Sequence, residues 1–203
     1  ADDLLEAGAV WAAVQALSTN TKAGFVYGIV PSIDAKGKEV GLKRSGPPDA
    51  EALLRSIYFG APGVFIRRDC LERVGYLRED LLASDWELWL RLYFVGGCEG
   101  AYLKRTMGMG REWGGCRSLN DRARYHQDQR NVLGEMLRQG WIRGRLVRRA
   151  RRAMASAGLN SARHHWHSGR RRDALANYCQ ALRDSPPGFV RWHLGQCRQK
   201  ARS

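Results

Sequence analysis

Residues 23–33, Ala-Gly-Phe-Val-Tyr-Gly-Ile-Val-Pro-Ser-Ile, decide the fold class. The run is short, rich in β-branched and aromatic side chains, and bounded by turn formers, so it reads as a strand. Asp34-Ala35-Lys36-Gly37 supplies a turn, and Glu39-Val40-Gly41-Leu42 returns as the second arm of a hairpin. Further out, 61–67 (Ala-Pro-Gly-Val-Phe-Ile-Arg) reads as a buried strand and 101–109 as one more. Helical patterns lie between them. Residues 4–18 carry Leu4, Leu5, Val10, Val14 and Leu17 at helical spacing; Asp49 caps a short helix through Ile57; Asp69 caps another that ends at Gly75. An apolar helix opens at Ser84-Asp85 and stops near Gly96-Gly97. Strand, hairpin and strand with interleaved helices indicate α/β, a mixed sheet flanked by helices.

From about Leu119 the pattern becomes helix and turn. Residues 121–138 and 141–157 form two helical stretches separated by Gly140. In the second, Arg143, Arg145, Arg148, Arg149, Arg151 and Arg152 surround a stripe of Ile142, Leu146, Ala150, Ala153 and Ala157. Residues 160–186 form a helical hairpin, broken at Ser168-Gly169 and stopped by Pro186-Pro187. Its spacing of Gly169, Ala174, Tyr178, Ala181 and Pro186 resembles the second half of a tetratricopeptide repeat, and Trp192 falls where a next repeat would begin. The expected organisation is an α/β domain over 1–118 and a basic all-α tail over 119–203.

Charge divides at the same place. Residues 1–100 hold 11 Lys and Arg against 14 Asp and Glu, a net of −3, whereas 101–203 hold 23 against 6, a net of +17. Such asymmetry points to a polyanionic partner: nucleic acid, anionic lipid or a phosphorylated substrate. Arginine outnumbers lysine, which a GC-rich bacterial genome also produces. The bland alternative is the solvated face of a helical bundle. With 44% hydrophobic and 27% charged residues the chain has enough apolar side chain for a core and does not read as disordered. Five scattered cysteines with no CxxC pair favour reduced thiols in a cytoplasmic protein. No apolar run approaches the ~18 residues of a membrane span and no signal-peptide pattern opens the chain.

The chemistry concentrates at 83–92, Ala-Ser-Asp-Trp-Glu-Leu-Trp-Leu-Arg-Leu. Asp85 stands at the mouth of an apolar helix, where backbone N–H groups favour a carboxylate, and its plainest reading is an N-cap. Glu87 reads as a surface residue of that helix. Asp2-Asp3 equally suits a plain helix N-terminus. His164, His165 and His167 lack partner cysteines at ligand spacing and read as polar surface.

Three stretches occur in order: Ala1-Asp2-Asp3-Leu4-Leu5-Glu6-Ala7-Gly8-Ala9; Gly24-Phe25-Val26-Tyr27-Gly28 leading to Asp34-Ala35-Lys36-Gly37; and Arg67-Arg68-Asp69 through Gly75 to Ser84-Asp85-Trp86-Glu87-Leu88-Trp89-Leu90-Arg91. Together they resemble the later half of a family 2 glycosyltransferase, the inverting enzymes of GT-A fold, over roughly residues 1–118. The resemblance implies that Asp2, with Asp3 beside it, belongs to an Asp-x-Asp motif holding Mg²⁺ or Mn²⁺ against the diphosphate of a nucleotide-sugar donor. The first acid of that motif, and the nucleotide-binding half itself, would precede Ala1, so the chain is expected to be truncated. Asp85 takes the place of the general base that accepts the proton of the acceptor hydroxyl, with Ser84 where a Glu is usual. Arg111-Glu112-Trp113 matches an Arg-x-His motif, with Trp113 in place of His; Arg111 is then a candidate for phosphate contact and Trp113 for stacking on a sugar or base. Both are equally readable as loop residues. The acceptor would be a saccharide or a lipid-linked saccharide, and the location cytoplasmic, with the basic tail resting on the inner face of an anionic membrane. The rival reading is a basic helical protein that binds nucleic acid or anionic membrane without catalysis. Against nucleic acid, few aromatics interleave the arginines and no helix-turn-helix, zinc-finger or RRM signature occurs.

Overall fold

The computed structural model describes residues 2–43, 45–55, 59–112, 114 and 120–200, without the side chains of 43 and 194–200. It separates into two compact units, Ala1–Arg78 with Asp85–Cys116, and Glu79–Ser84 with Arg117–Ser203.

The first unit is α/β and contains a mixed six-stranded sheet. Its strands are β1 (Leu4–Leu5), β2 (Ala23–Ile33), β3 (Glu39–Lys43), β4 (Phe65–Ile66), β5 (Glu99–Thr106) and β6 (Gly108–Arg111). The helices are α1 (Ala9–Thr19), α2 (Ala50–Arg55), α3 (Arg68–Val74) and α4 (Ser84–Phe94). β2 is the hub: it pairs antiparallel with β3 and β4 and parallel with β5 and β6. All of its residues but Ile29 are buried, which explains its near-continuous apolar reading. One face of β2 presents Val26 to Ala9 and Ala13 of α1 and to Met107. Its alternate residues Phe25 and Tyr27 stack on Phe59, which packs in turn on Trp89 of α4. At Gly28 a Cβ would lie 2.3 Å from the Met107 Cγ and 2.6 Å from the Arg105 carbonyl oxygen, so only glycine lets the β5–β6 crossing lie this close.

Three expectations change. Leu4–Leu5 is not helical; it pairs with Met109 and Gly108 of β6, and α1 begins only at Ala9, after Gly8 at φ 75°. The helix buries Ala9 and Ala13, leaving Val10, Trp11 and Val14 exposed, because the short side is the one that fits against the sheet. The 101–109 segment is two strands broken at the fully buried Met107, whose N–H donates to the Ile29 carbonyl while its own carbonyl accepts from Glu6. Of 61–67, only Phe65–Ile66 pairs, since Gly63 at φ 82° turns the chain just before it.

The second unit is a set of helices: α5 (Arg122–Arg138), α6 (Arg145–His167), α7 (Arg171–Asp184) and α8 (Pro186–Lys200). Asp121 caps α5, accepting from the Arg124 N–H at 3.0 Å. The expected break near 158 is absent: Ala157, Gly158 and Leu159 continue one 23-residue helix. The close approach is at Gly158, so placed that a Cβ would lie 3.2 Å from the Ala181 Cβ. Ser168-Gly169 does break the hairpin, Gly169 at φ 76°. Pro186-Pro187 ends α7 and also opens α8, a position where the missing proline N–H costs nothing. Arg130 and Asp184 form a bidentate ion pair at 2.7 and 3.1 Å between α5 and α7. Asp128 accepts from the Leu82 N–H at 2.7 Å, and burial raises its carboxyl above the usual range. His164 is more than surface, because its ring stacks on His126 with centroids 5.7 Å apart. No helix among the described residues is long and apolar enough to cross a membrane.

Candidate active site

Asp85 lies one residue inside α4, whose first residue is Ser84, so it is a first-turn residue and not the cap. Its half-buried carboxylate accepts the Trp86 N–H at 2.7 Å, filling one of the N–H groups that a helix start leaves unpaired. Trp86 is 1% exposed and donates its indole N–H to the Leu53 carbonyl at 2.7 Å. The backbone bearing Asp85 is therefore pinned to α2 by a buried hydrogen bond.

Glu87 is a correction: it is buried, with 4% of its surface exposed. Its two oxygens accept from Arg91 Nε at 2.6 Å and Nη2 at 2.8 Å. The same guanidinium donates to the carbonyls of Val74, Gly75 (3.0 Å) and Tyr76 (2.7 Å), at the end of α3. An ion pair buried this deeply holds only because the remaining donors of the cation are also satisfied. Glu87 and Arg91 thus fix α4 to the end of α3. The Glu-x-x-x-Arg spacing was the available signal for this pair. Arg67 acts similarly, donating from Nε to the Ala23 carbonyl at 2.8 Å and from Nη2 to the Leu17 carbonyl, which ties α1 to the start of β2.

Asp2, Asp3 and Arg111 come together at one sheet edge. The Arg111 backbone N–H donates to Asp3 Oδ1 at 2.7 Å and its Nε to the Asp2 carbonyl at 2.9 Å. Its Nη1 reaches the carbonyls of Asp34 at 2.8 Å and Ala35 at 3.1 Å in the β2–β3 turn. That turn is organised by Asp34, whose Oδ1 accepts from the backbone N–H groups of Lys36 and Lys38, both at 2.9 Å. Beside it the Ser32 hydroxyl donates to Glu112 Oε1 at 2.8 Å. All three are candidates named from the sequence; what the sequence did not indicate is that Arg111 clamps the acidic segment to the hairpin turn. Trp113 lies outside the described residues.

Asp2 and Asp3 are both exposed, and they supply hard oxygen donors. Among the described residues no group of three or more His, Cys, Asp or Glu gathers into a metal nest. Carboxylate oxygens are the donor type that Mg²⁺ and Mn²⁺ take, and one of them, Asp3 Oδ1, is engaged by the Arg111 N–H. Elsewhere in the unit, Cys70 and Cys98 are free, buried thiols; burial first, and then the neighbouring Cys70, push Cys98 up to about 12, so it stays protonated and unreactive.

Compared with known proteins, the chain matches no family model and no curated sequence.

Proposed function

We propose that the chain is the acceptor-side half of an inverting GT-A glycosyltransferase, moving a sugar from a nucleotide-sugar to an acceptor hydroxyl with Asp85 as general base. The observation that carries this reading is the sheet-edge cluster, in which Arg111 holds the Asp2-Asp3 segment against the 34–35 turn. Residues that the family resemblance had assigned to one task meet across 108 positions of sequence.

In the proposed reaction Asp85 accepts the acceptor proton as that oxygen bonds to the anomeric carbon. The bond from that carbon to the donor diphosphate breaks at the same time, and inversion follows from attack on the opposite face. A single carboxylate suffices, since no covalent sugar–enzyme bond forms. Trp86 and the Glu87–Arg91 pair hold the α4 backbone, so the carboxylate need not be reoriented during transfer. Asp2 and Asp3 would hold Mg²⁺ or Mn²⁺, which when bound neutralises charge on the departing diphosphate. Arg111 is a positioning residue here, orienting Asp3 through its backbone N–H.

Screening the polypeptide carrying this sequence against a panel of sugar nucleotides with Mn²⁺ tests the reading. Transfer or slow donor hydrolysis is expected for at least one donor. Asp85→Asn is expected to lower turnover by about 10²–10⁴-fold with donor affinity nearly unchanged. A fully active Asp85→Asn variant rules out the base assignment.

A further inference from the structure

In the second unit one helix, α7, turns only small residues inward, while several large apolar ones face out. α7 buries Ala174 and Ala181 and leaves Leu175, Tyr178 and Leu182 exposed at 63%, 39% and 45%. Spacings of three and four residues place these on one stripe of the helix. Trp166 of α6 and Val190 of α8 are also more than half exposed. Within the same three helices opens a groove of about 370 Å³, lined by Leu159, Ala162, Trp166, Leu175, Tyr178 and Trp192 among others.

The polar ends of these aromatics are already engaged within the unit. Trp192 donates its indole N–H to Asn160 Oδ1 at 3.2 Å, the Tyr178 hydroxyl meets His193 Nε2 at 3.1 Å, and the Arg171 guanidinium lies 3.7 Å from the centre of the Trp166 ring. The groove thus offers carbon surface, while its surroundings offer positive charge. α6 and α8 contain no acidic residue, and of the two aspartates of α7, Asp184 is paired with Arg130. Arg163, Arg170, Arg171, Arg172, Arg183 and Arg191 are all exposed.

A sugar or polar metabolite needs donors and acceptors converging inside the groove, and those present are committed. Nucleic acid would meet the arginines but gains nothing from Leu175, Leu182 and Val190. An acidic amphipathic helix matches both properties. Side chains this exposed, however, stand proud of the surface, which suits a medium that yields around them. Arginine-ringed leucine, tyrosine and tryptophan are the composition of an interfacial membrane contact.

We propose that this face docks the chain on an anionic phospholipid bilayer: Leu175, Tyr178, Leu182 and Val190 enter the acyl boundary, the groove takes part of an acyl chain, and the arginines meet lipid phosphates. The proposal stands independently of the transferase reading, and its test involves no sugar nucleotide.

Co-sedimentation of the full chain with vesicles is the test. Vesicles with about one third phosphatidylglycerol are expected to retain it roughly tenfold better than phosphatidylcholine alone at low salt. The double variant Leu175→Ser/Leu182→Ser changes only exposed side chains, so the fold is retained. It is expected to lose most of the retention, together with the vesicle-induced blue shift of Trp166 fluorescence, read as the difference from Trp166→Phe. Retention unchanged in the double variant overturns the proposal, and retention of the wild type with no Trp166 shift overturns it in favour of plain charge adsorption. No retention on anionic vesicles overturns it too, and binding of an acidic helical peptide in that case identifies the occupant as protein.

Discussion

The sheet unit keeps its largest side chains inside, with Trp86, Tyr27 and Phe25 each about 1% exposed and Phe59 and Trp89 packed among them. The helical unit does so only in part. Beside Leu133, Met136 and Leu159 its interior holds Ala150, Ala153, Ala155, Ala157 and Ala181, while Trp166, Leu175 and Leu182 face outward. The two regions reach stability by different routes: burial of aromatic volume around one strand, and close approach of helices across small residues. The contrast is not strictly one of unit, because α1 of the sheet unit also packs through Ala9 and Ala13 and leaves Trp11 outside. Side-chain size, then, does not tell which face of a helix is covered; the distance available to its neighbour does.

The difference can be broken most sharply at Trp86. Trp86→Ala removes a buried indole and orphans the Leu53 carbonyl, and is expected to cost about 4–5 kcal/mol, read as a lower urea midpoint for the sheet unit. Arg91→Ala is expected to cost about 3–4 kcal/mol, since Glu87 is left as a buried unpaired charge, and Arg91→Lys to recover little because one ammonium cannot serve three carbonyls and a carboxylate. In the helical unit the damaging change is enlargement: Gly158→Leu is expected to cost about 1–3 kcal/mol by forcing α6 from α7.

A gentler probe is pH. Burial, reinforced for His164 by His126 and nearby arginines, holds both imidazoles of the stacked pair below their ordinary value. Between that lowered value and about 6.5 the unfolded chain therefore binds more protons, and stability falls as pH drops through this window. Thermal melts of the wild type are expected to shift down from about pH 7 to about pH 5, and less so for His126→Gln. Smallest of all, Leu182→Ser is expected to change stability by no more than about 0.5 kcal/mol, despite deleting a large apolar group.

The local signals in the sequence carried much of the fold. The 23–33 strand and its hairpin have the bounds read from β-branched content and the Asp34–Gly37 turn, and α3 ends at Gly75. What escaped was set by partners distant in sequence. Leu4–Leu5 looks helical until β6 supplies its mate, and 101–109 looks like one strand until Met107 is drawn inward. For the candidate site, Asp2, Asp3, Arg111 and Asp85 were legible as residue types, yet nothing local indicated that Arg111 would donate to two backbone segments. Glu87 was misjudged because a charge on a helix is usually solvated; only the three carbonyls gathered by Arg91 make its burial tolerable.

The pairing of β1 with β6 also sets an order of events during synthesis. Leu4 and Leu5 leave the ribosome among the earliest residues described, yet their partners Met109 and Gly108 follow about a hundred residues later. At ordinary elongation rates that delay is roughly 5–20 s. Throughout it the apolar dipeptide lacks its β6 mate, and the clamp of Arg111 closes only when β6 arrives. Nascent chains arrested before residue 108 should therefore expose this segment to protease or chaperone, and chains arrested well beyond 111 should protect it.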